Sequence, residues 1–236
     1  LRGPKREGRE AKRSDEKIAL KDTITVKFSI GGSLRFLSHQ ETVTLLQRAC
    51  VRSGVKLVYS EGFNPRPRLS LPFPRSVGIA AWDDMLSLAM ESAESGSFDC
   101  EAFKKRLQSE LPEGIDIESV EVAGGSMSFY PESADYVFTV KEGPVSEKVC
   151  DRVAALASQQ DCMVERHQLK KGTTRMVNAR DFVESARVEA DEIIVRCRIT
   201  SAGAIRVDEL MKLLGIEQSM LTGAIVRRDV HWQRRN

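Results

Sequence analysis

The 236-residue chain is short of the features that mark most small-molecule enzymes. Its five cysteines, Cys50, Cys100, Cys150, Cys162 and Cys197, are widely spaced and never form a C-x-x-C pair. A metal or cluster site within the chain is therefore not expected, and the thiols read as small buried hydrophobes in a reducing cytoplasm. The three histidines, His39, His167 and His231, have no partner at metal-ligand spacing. There is no G-x-x-x-x-G-K-[ST] loop, and Gly31-Gly32 is too short to cradle a nucleotide. Aromatics make up 6% of the residues, and the aromatic strand signature of an RNA-recognition motif is absent. No apolar run approaches the ~18 residues of a membrane span and no signal peptide is visible, so a cytoplasmic, soluble protein is expected. A strong charge of either sign is missing too. With a formal net charge of +2, any anionic partner has to be met by local patches.

What is present is a repeated order of elements. Residues 1–22 are rich in both charges and have no apolar period, which reads as a disordered basic leader or linker, or else as an arm that folds on nucleic acid. The non-methionine start leaves open an artificial boundary, a processed end or a cut from a longer chain. The folded part is expected to start at Thr23, and TVKFSI (25–30) alternates as a half-buried strand. SHQETVTLLQRACVRS (38–53) carries one apolar helical face, and Ser38 with Glu41 has the form of a capping box. VKLVY (55–59) and residues 77–91 read as strands, 98–111 as a helix and 115–122 as a strand. This β-α-β-β-α-β order predicts a ferredoxin-like domain over 23–124, with one sheet face left free. A linker is expected over 125–134. Residues 135–236 then repeat a comparable order as a second ferredoxin-like domain, with strands at 135–141 and 162–169, one or two more over 175–183 and 186–200, helices at 145–160 and 206–216, and an edge strand at 224–232. The fold class expected is α+β, with two antiparallel sheets in tandem.

Two stretches carry chemistry. In SEGFNPRPRLSLPFP (60–74), Pro65 and Pro67 force Asn64 and Arg66 toward extended geometry. The loop is thus stiff before anything binds, and it holds Arg66 and Arg68 where a phosphate or carboxylate could be gripped. The alternative is a proline-rich crossover that covers the sheet. RHQLKKGTTRMVNAR (166–180) contains Arg166, Lys170, Lys171, Arg175 and Arg180 and no acid, the composition of a phosphate-tracking hairpin or of a solvated turn. His39, at a helix start, could greet an anion or simply pack in the capping turn. Asp83 and Asp84 are adjacent on a strand and cannot face one site.

SLRFLSHQET (33–42) and QRACVRSGVKLVYSEGFNPRPRLSLPFPRSVGI (47–79) resemble the start of the radical SAM-linked proteins, found beside or fused to radical S-adenosylmethionine enzymes. The resemblance rests on Arg35, Phe36, Ser38, His39, Tyr59, Ser60, Glu61, Gly62, Phe63, Pro65, Pro67, Ser70 and Gly78. Asn64-Pro65-Arg66-Pro67 departs from the His-Pro-His-Pro often found there. The resemblance implies that an iron–sulfur cluster and S-adenosylmethionine sit on a partner enzyme and that this chain binds no cofactor of its own. The reading that follows is an RNA-binding or substrate-presenting module for RNA modification or processing. Arg35, His39, Asn64, Arg66, Arg68, Arg166, Lys170, Lys171, Arg175 and Arg180 would contact RNA. Two other readings stay open: an RNA-modifying or RNA-cleaving enzyme using His39, Glu61 or an aspartate such as Asp181, and a pure protein-interaction module.

Overall fold

A computed structural model describes residues 21–91, 96–141, 145–158, 161–168, 172–201 and 203–235. The expected leader lies outside these residues except for Lys21 and Asp22, which already belong to the first strand. The first half runs β1 (Lys21–Ile30), a 3-10 turn (Gly32–Phe36), α1 (His39–Arg52), β2 (Leu69–Ser70), β3 (Ala80–Glu91), α2 (Cys100–Ser109) and β4 (Ile115–Ala123). The second runs β5 (Ser128–Thr139), α3 (Glu147–Ala157), β6 (Met163–Gln168), β7 (Thr173–Asn178), β8 (Val183–Glu189), β9 (Glu192–Arg198), α4 (Val207–Leu214) and β10 (Val226–Arg235). The protein is α+β with a mostly antiparallel sheet, four α-helices and no closed barrel among the described residues.

Local signals set the helix ends. Ser38 and Glu41 form the expected box: the Ser38 amide donates to Glu41 Oε2 at 2.8 Å and the Glu41 amide to Ser38 Oγ at 3.3 Å. Asp99 caps α2 through the Ala102 amide. Leu46, Ala49 and Cys50 of α1 and Phe103 and Leu107 of α2 bury against Ile24, Val26, Phe28, Leu86 and Leu88. Burial pushes the Cys50 thiol up to about 12, so it behaves as a core hydrophobe.

The two expected sheets are one. Strand order is β4-β1-β3-β10-β5-β9-β8, with β2 beside β3. The join is a short parallel pairing of Val226 and Arg227 with Ala80 and Ala81, so β10 is internal rather than an edge. Residues 128–134, expected as linker, are the first part of β5. In the first half the short β2 takes the place expected of 55–59. Tyr59 only bridges to Pro67, and the prolines fold the chain back so that two brief segments share one strand's position. In the second half β6 and β7 form a separate two-stranded hairpin inserted between α3 and β8.

All four helices cover the same face. Along the register Ile30 lies opposite Ala81, Ala81 opposite Arg227, Arg227 opposite Tyr136 and Tyr136 opposite Val195. Residues directly opposite share a face. Ile30 belongs to the core under α1 and α2, and Tyr136 and Val195 to the core under α3 and α4. The other face is not free as expected: Thr23, Thr25, Met85, Ser87, Val137 and Ile194, on the opposite phase of their strands, are buried.

Candidate functional site

The proline loop is closed by one serine. The Ser60 amide donates to the Arg66 carbonyl at 2.8 Å, and Ser60 Oγ accepts the Arg66 amide at 3.0 Å. The Arg68 amide then reaches the Val58 carbonyl, and Ala89 of β3 donates to the Arg68 carbonyl. Both ends are therefore tied to the sheet while 61–66 project. Gly62 sits at φ 120°, a backbone that side chains rarely adopt. It turns the chain so that Phe63 is 106% exposed. A fully solvated ring beside exposed Asn64, Arg66 and Arg68 has no packing role. Neither guanidinium has an ion-pair partner among the described residues. Glu61 is exposed on the same loop.

The rest of the first motif lies elsewhere, at the seam between the halves. Arg227 is 1% exposed, and its guanidinium pairs with the buried Asp84. It also donates to the Phe73 and Pro74 carbonyls, each at 3.2 Å, and lies 3.7 Å from the centre of the Phe73 ring. The proline-rich segment after β2 has carbonyls that no ladder uses, and the arginine satisfies them. Arg75 does the same for the 3-10 turn: its guanidinium donates to the Arg35 and Ile79 carbonyls at 2.6 Å and to Leu37 at 3.3 Å. Gly78, at φ 89°, donates its amide to the Arg35 carbonyl and closes this corner. Arg35 itself donates to the Gly32 carbonyl, with its guanidinium 4.4 Å from the Phe36 ring. Asp84 faces the helices while Asp83, on the other phase, accepts the Val230 amide.

His39 borders this cluster, with Nδ1 buried and lacking a hydrogen-bond partner. Burial holds its pKa below the ordinary value; Asp84 opposes this, and Arg227 and Arg75 reinforce it. The folded state thus binds a proton less readily than the unfolded chain, whose histidine titrates near about 6.5. This contribution to stability is complete above that pH and is lost as pH falls through the folded value. Urea midpoints of the wild type should drop between about pH 7.5 and 5.5 by more than those of His39→Gln; equal drops would deny the effect.

The basic hairpin does not join the loop. Alternation puts Arg166 on the same side as Val164, toward α4, where its guanidinium makes two 2.6 Å hydrogen bonds to Glu209 and one of 2.9 Å to the Ala204 carbonyl. Arg166 is 6% exposed and tied to its own chain's carboxylate, so its assignment to RNA is corrected. Arg175 is exposed, and Arg180 stands 3.8 Å from Asp161. Lys170 and Lys171 lie outside the described residues. The cavity that Arg68 lines includes no hairpin residue. The structure therefore groups Glu61, Asn64, Arg66 and Arg68, sets Arg35 and His39 apart at the seam, and leaves His39 and Glu61 without a shared catalytic geometry.

Charge counting puts Arg227 in a third basic cluster with Arg228, Arg234 and Arg235 and gives no role to Arg75 or to the pairing of Arg227 with Asp84, although a signal for that pair exists. Asp84 shares its strand phase with Leu86, Leu88 and Met90, and Arg227 shares its phase with Ile225. Opposite charges on apolar phases call for each other. Among the described residues no group of three or more His, Cys, Asp or Glu could hold a metal, and no helix is long and apolar enough to cross a membrane.

Residues 23–210 match the family model described as "Uncharacterized protein conserved in bacteria (DUF2344)". Among solved structures the chain is similar to a Cbf5-Nop10-Gar1 complex, at 11% identity and TM-score 0.38 over 87% of this chain and 47% of that one. It is also similar to the archaeal box H/ACA sRNP Nop10-Cbf5 complex, at 12% identity and TM-score 0.34 over 87% and 46%. The chain spans about half the length of each. No curated protein matches it.

Proposed function

The chain belongs to the bacterial family DUF2344, and from that premise we propose that it is a cytoplasmic RNA-binding module that presents its proline loop to an RNA strand. The observation that carries this is the solvated Phe63 held beside Asn64, Arg66 and Arg68 on a loop closed by Ser60. A base can stack on such a ring while the guanidiniums take the flanking phosphates. Because the prolines have already removed most of the loop's freedom, little ordering is left for binding to offset.

The frame we propose is a pair of ferredoxin-like units fused along β3 and β10. Its support is that β4-β1-β3-β2 and β10-β5-β9-β8 follow the same relative order, with the inserted hairpin set aside. The partner we propose is a radical S-adenosylmethionine enzyme acting in RNA modification or processing, on the strength of the motif in 33–79 alone. That enzyme would hold the cluster and S-adenosylmethionine itself.

The test is fluorescence anisotropy with labelled single-stranded and transfer RNA across a salt series. Phe63→Ala should cost about 1–3 kcal/mol of affinity. Arg66→Ala with Arg68→Ala should reduce the slope of log K against log salt by about 1.4, at about 0.7 per phosphate contact on a single strand. No binding at low salt, or variants indistinguishable from wild type, would overturn the proposal. Capture of the partner enzyme by an RNA-silent protein would instead point to the interaction-only reading.

A further inference from the structure

A second cationic feature lies under the base of the loop. Lys21 and Thr23 of β1, Arg68, Leu69 and Ser70 at β2, Ser87, Leu88 and Ala89 of β3, and Ser126 and Met127 before β5 line a shallow cavity of about 250 Å³ that opens to solvent. That is below the ~300–1,000 Å³ of sites for drug-sized ligands. The lining holds two cations and four hydroxyls and no carboxylate.

The walls are fixed. Thr23 Oγ1 donates to the Gly125 carbonyl and accepts the Met127 amide, both at 3.0 Å, so the turn before β5 is bolted to β1. Asp22, adjacent in sequence, is engaged by the Gly125 amide at 2.7 Å. Ser87 is only 8% exposed, yet its hydroxyl has no protein partner among the described residues. The Ser87 hydroxyl therefore keeps its donor for a group that enters the cavity. Lys21 and Arg68 likewise form no ion pair among the described residues; Glu91, opposite Lys21 in the ladder, does not come within ion-pair distance. Four groups that can all donate, Lys21, Arg68, Ser70 and Ser87, line this cavity, and no carboxylate is among its lining residues.

We propose that this cavity is a phosphate-binding site, with Lys21 and Arg68 supplying charge and Ser70 and Ser87 supplying hydroxyl donors to the phosphate oxygens. The phosphate is either free or the terminal group of an RNA strand. Only the second source rests on the RNA reading.

The experiment titrates inorganic phosphate into the full chain and follows backbone amide shifts by NMR. The amides of Ser70, Ser87 and Ser126 should move saturably. Lys21→Ala with Arg68→Ala should weaken this about tenfold or more, since two charge-assisted contacts are lost. Ser87→Ala, which keeps both charges, should weaken it less, and Phe63→Ala should leave it unchanged. Displacement of phosphate by a 5′-phosphorylated oligoribonucleotide but not by its 5′-hydroxyl counterpart assigns the RNA terminus as source; displacement by neither assigns free phosphate. A wild type with no saturable shift, or one whose shifts persist in the double variant, overturns the site. Loss of RNA binding alone, with phosphate binding intact, would count only against the proposed function.

Discussion

Asp84→Ala should cost the fold about 3–5 kcal/mol, the range for removing one partner of a buried ion pair. The substitution leaves the Arg227 guanidinium in the seam without a counter-charge, beside an Arg75 whose partners are all carbonyls. Since domains are stable by only about 5–15 kcal/mol, much of the reserve would go. Urea denaturation of wild type and variant measures the loss directly. The double substitution Asp84→Leu with Arg227→Met should recover a large share, because the penalty arises from the orphaned charge. It should not recover all of it, since the Phe73 and Pro74 carbonyls would remain without their donor. A single variant within about 1 kcal/mol of wild type would show that the seam does not depend on the pair.

Glu209→Ala should have a comparable effect, about 3–5 kcal/mol, but a different distribution. Glu209 is 1% exposed and is the only carboxylate bonded to the buried Arg166 among the described residues. Its loss frees the β6–β7 hairpin, so amide exchange should accelerate in Val164 and Val177 before it does in β1 and β3. The pair also has a pH signature. Burial alone would raise the Glu209 carboxyl, but hydrogen bonds from Arg166 and the Arg206 amide, with both positive charges, hold it below the ordinary value. The folded state therefore binds the proton more weakly than the unfolded chain. Its contribution is complete above the unfolded value of about 4.3 and is lost as pH falls through the folded one. Uniform exchange throughout the molecule in Glu209→Ala would contradict the hairpin's dependence on this bond.

The two pairs also explain why charge counts mislead here. Arg166 and Arg227 look, in a list of residues, like part of the surface available to an anion. Each is instead buried, because strand alternation turned it toward helices. Arg66 and Arg68 remain outside, since the chain around them is too rich in proline to enter the sheet.

What the sequence determined by itself is whatever depends on near neighbours. The capping box of Ser38 and Glu41, the apolar face of α1, the stiffness of residues 64–68 and the opposed directions of Asp83 and Asp84 follow from spacings of a few residues. Only the tertiary structure decided that β10 would lie beside β3, that Arg227 would find Asp84 at a separation of 143 residues, and that Lys21, Arg68 and Ser87 would meet around one cavity. Those outcomes depend on which strand edge is left unpaired once both halves have formed. That is settled by competition among long-range pairings and by burial, which no short window of residues contains.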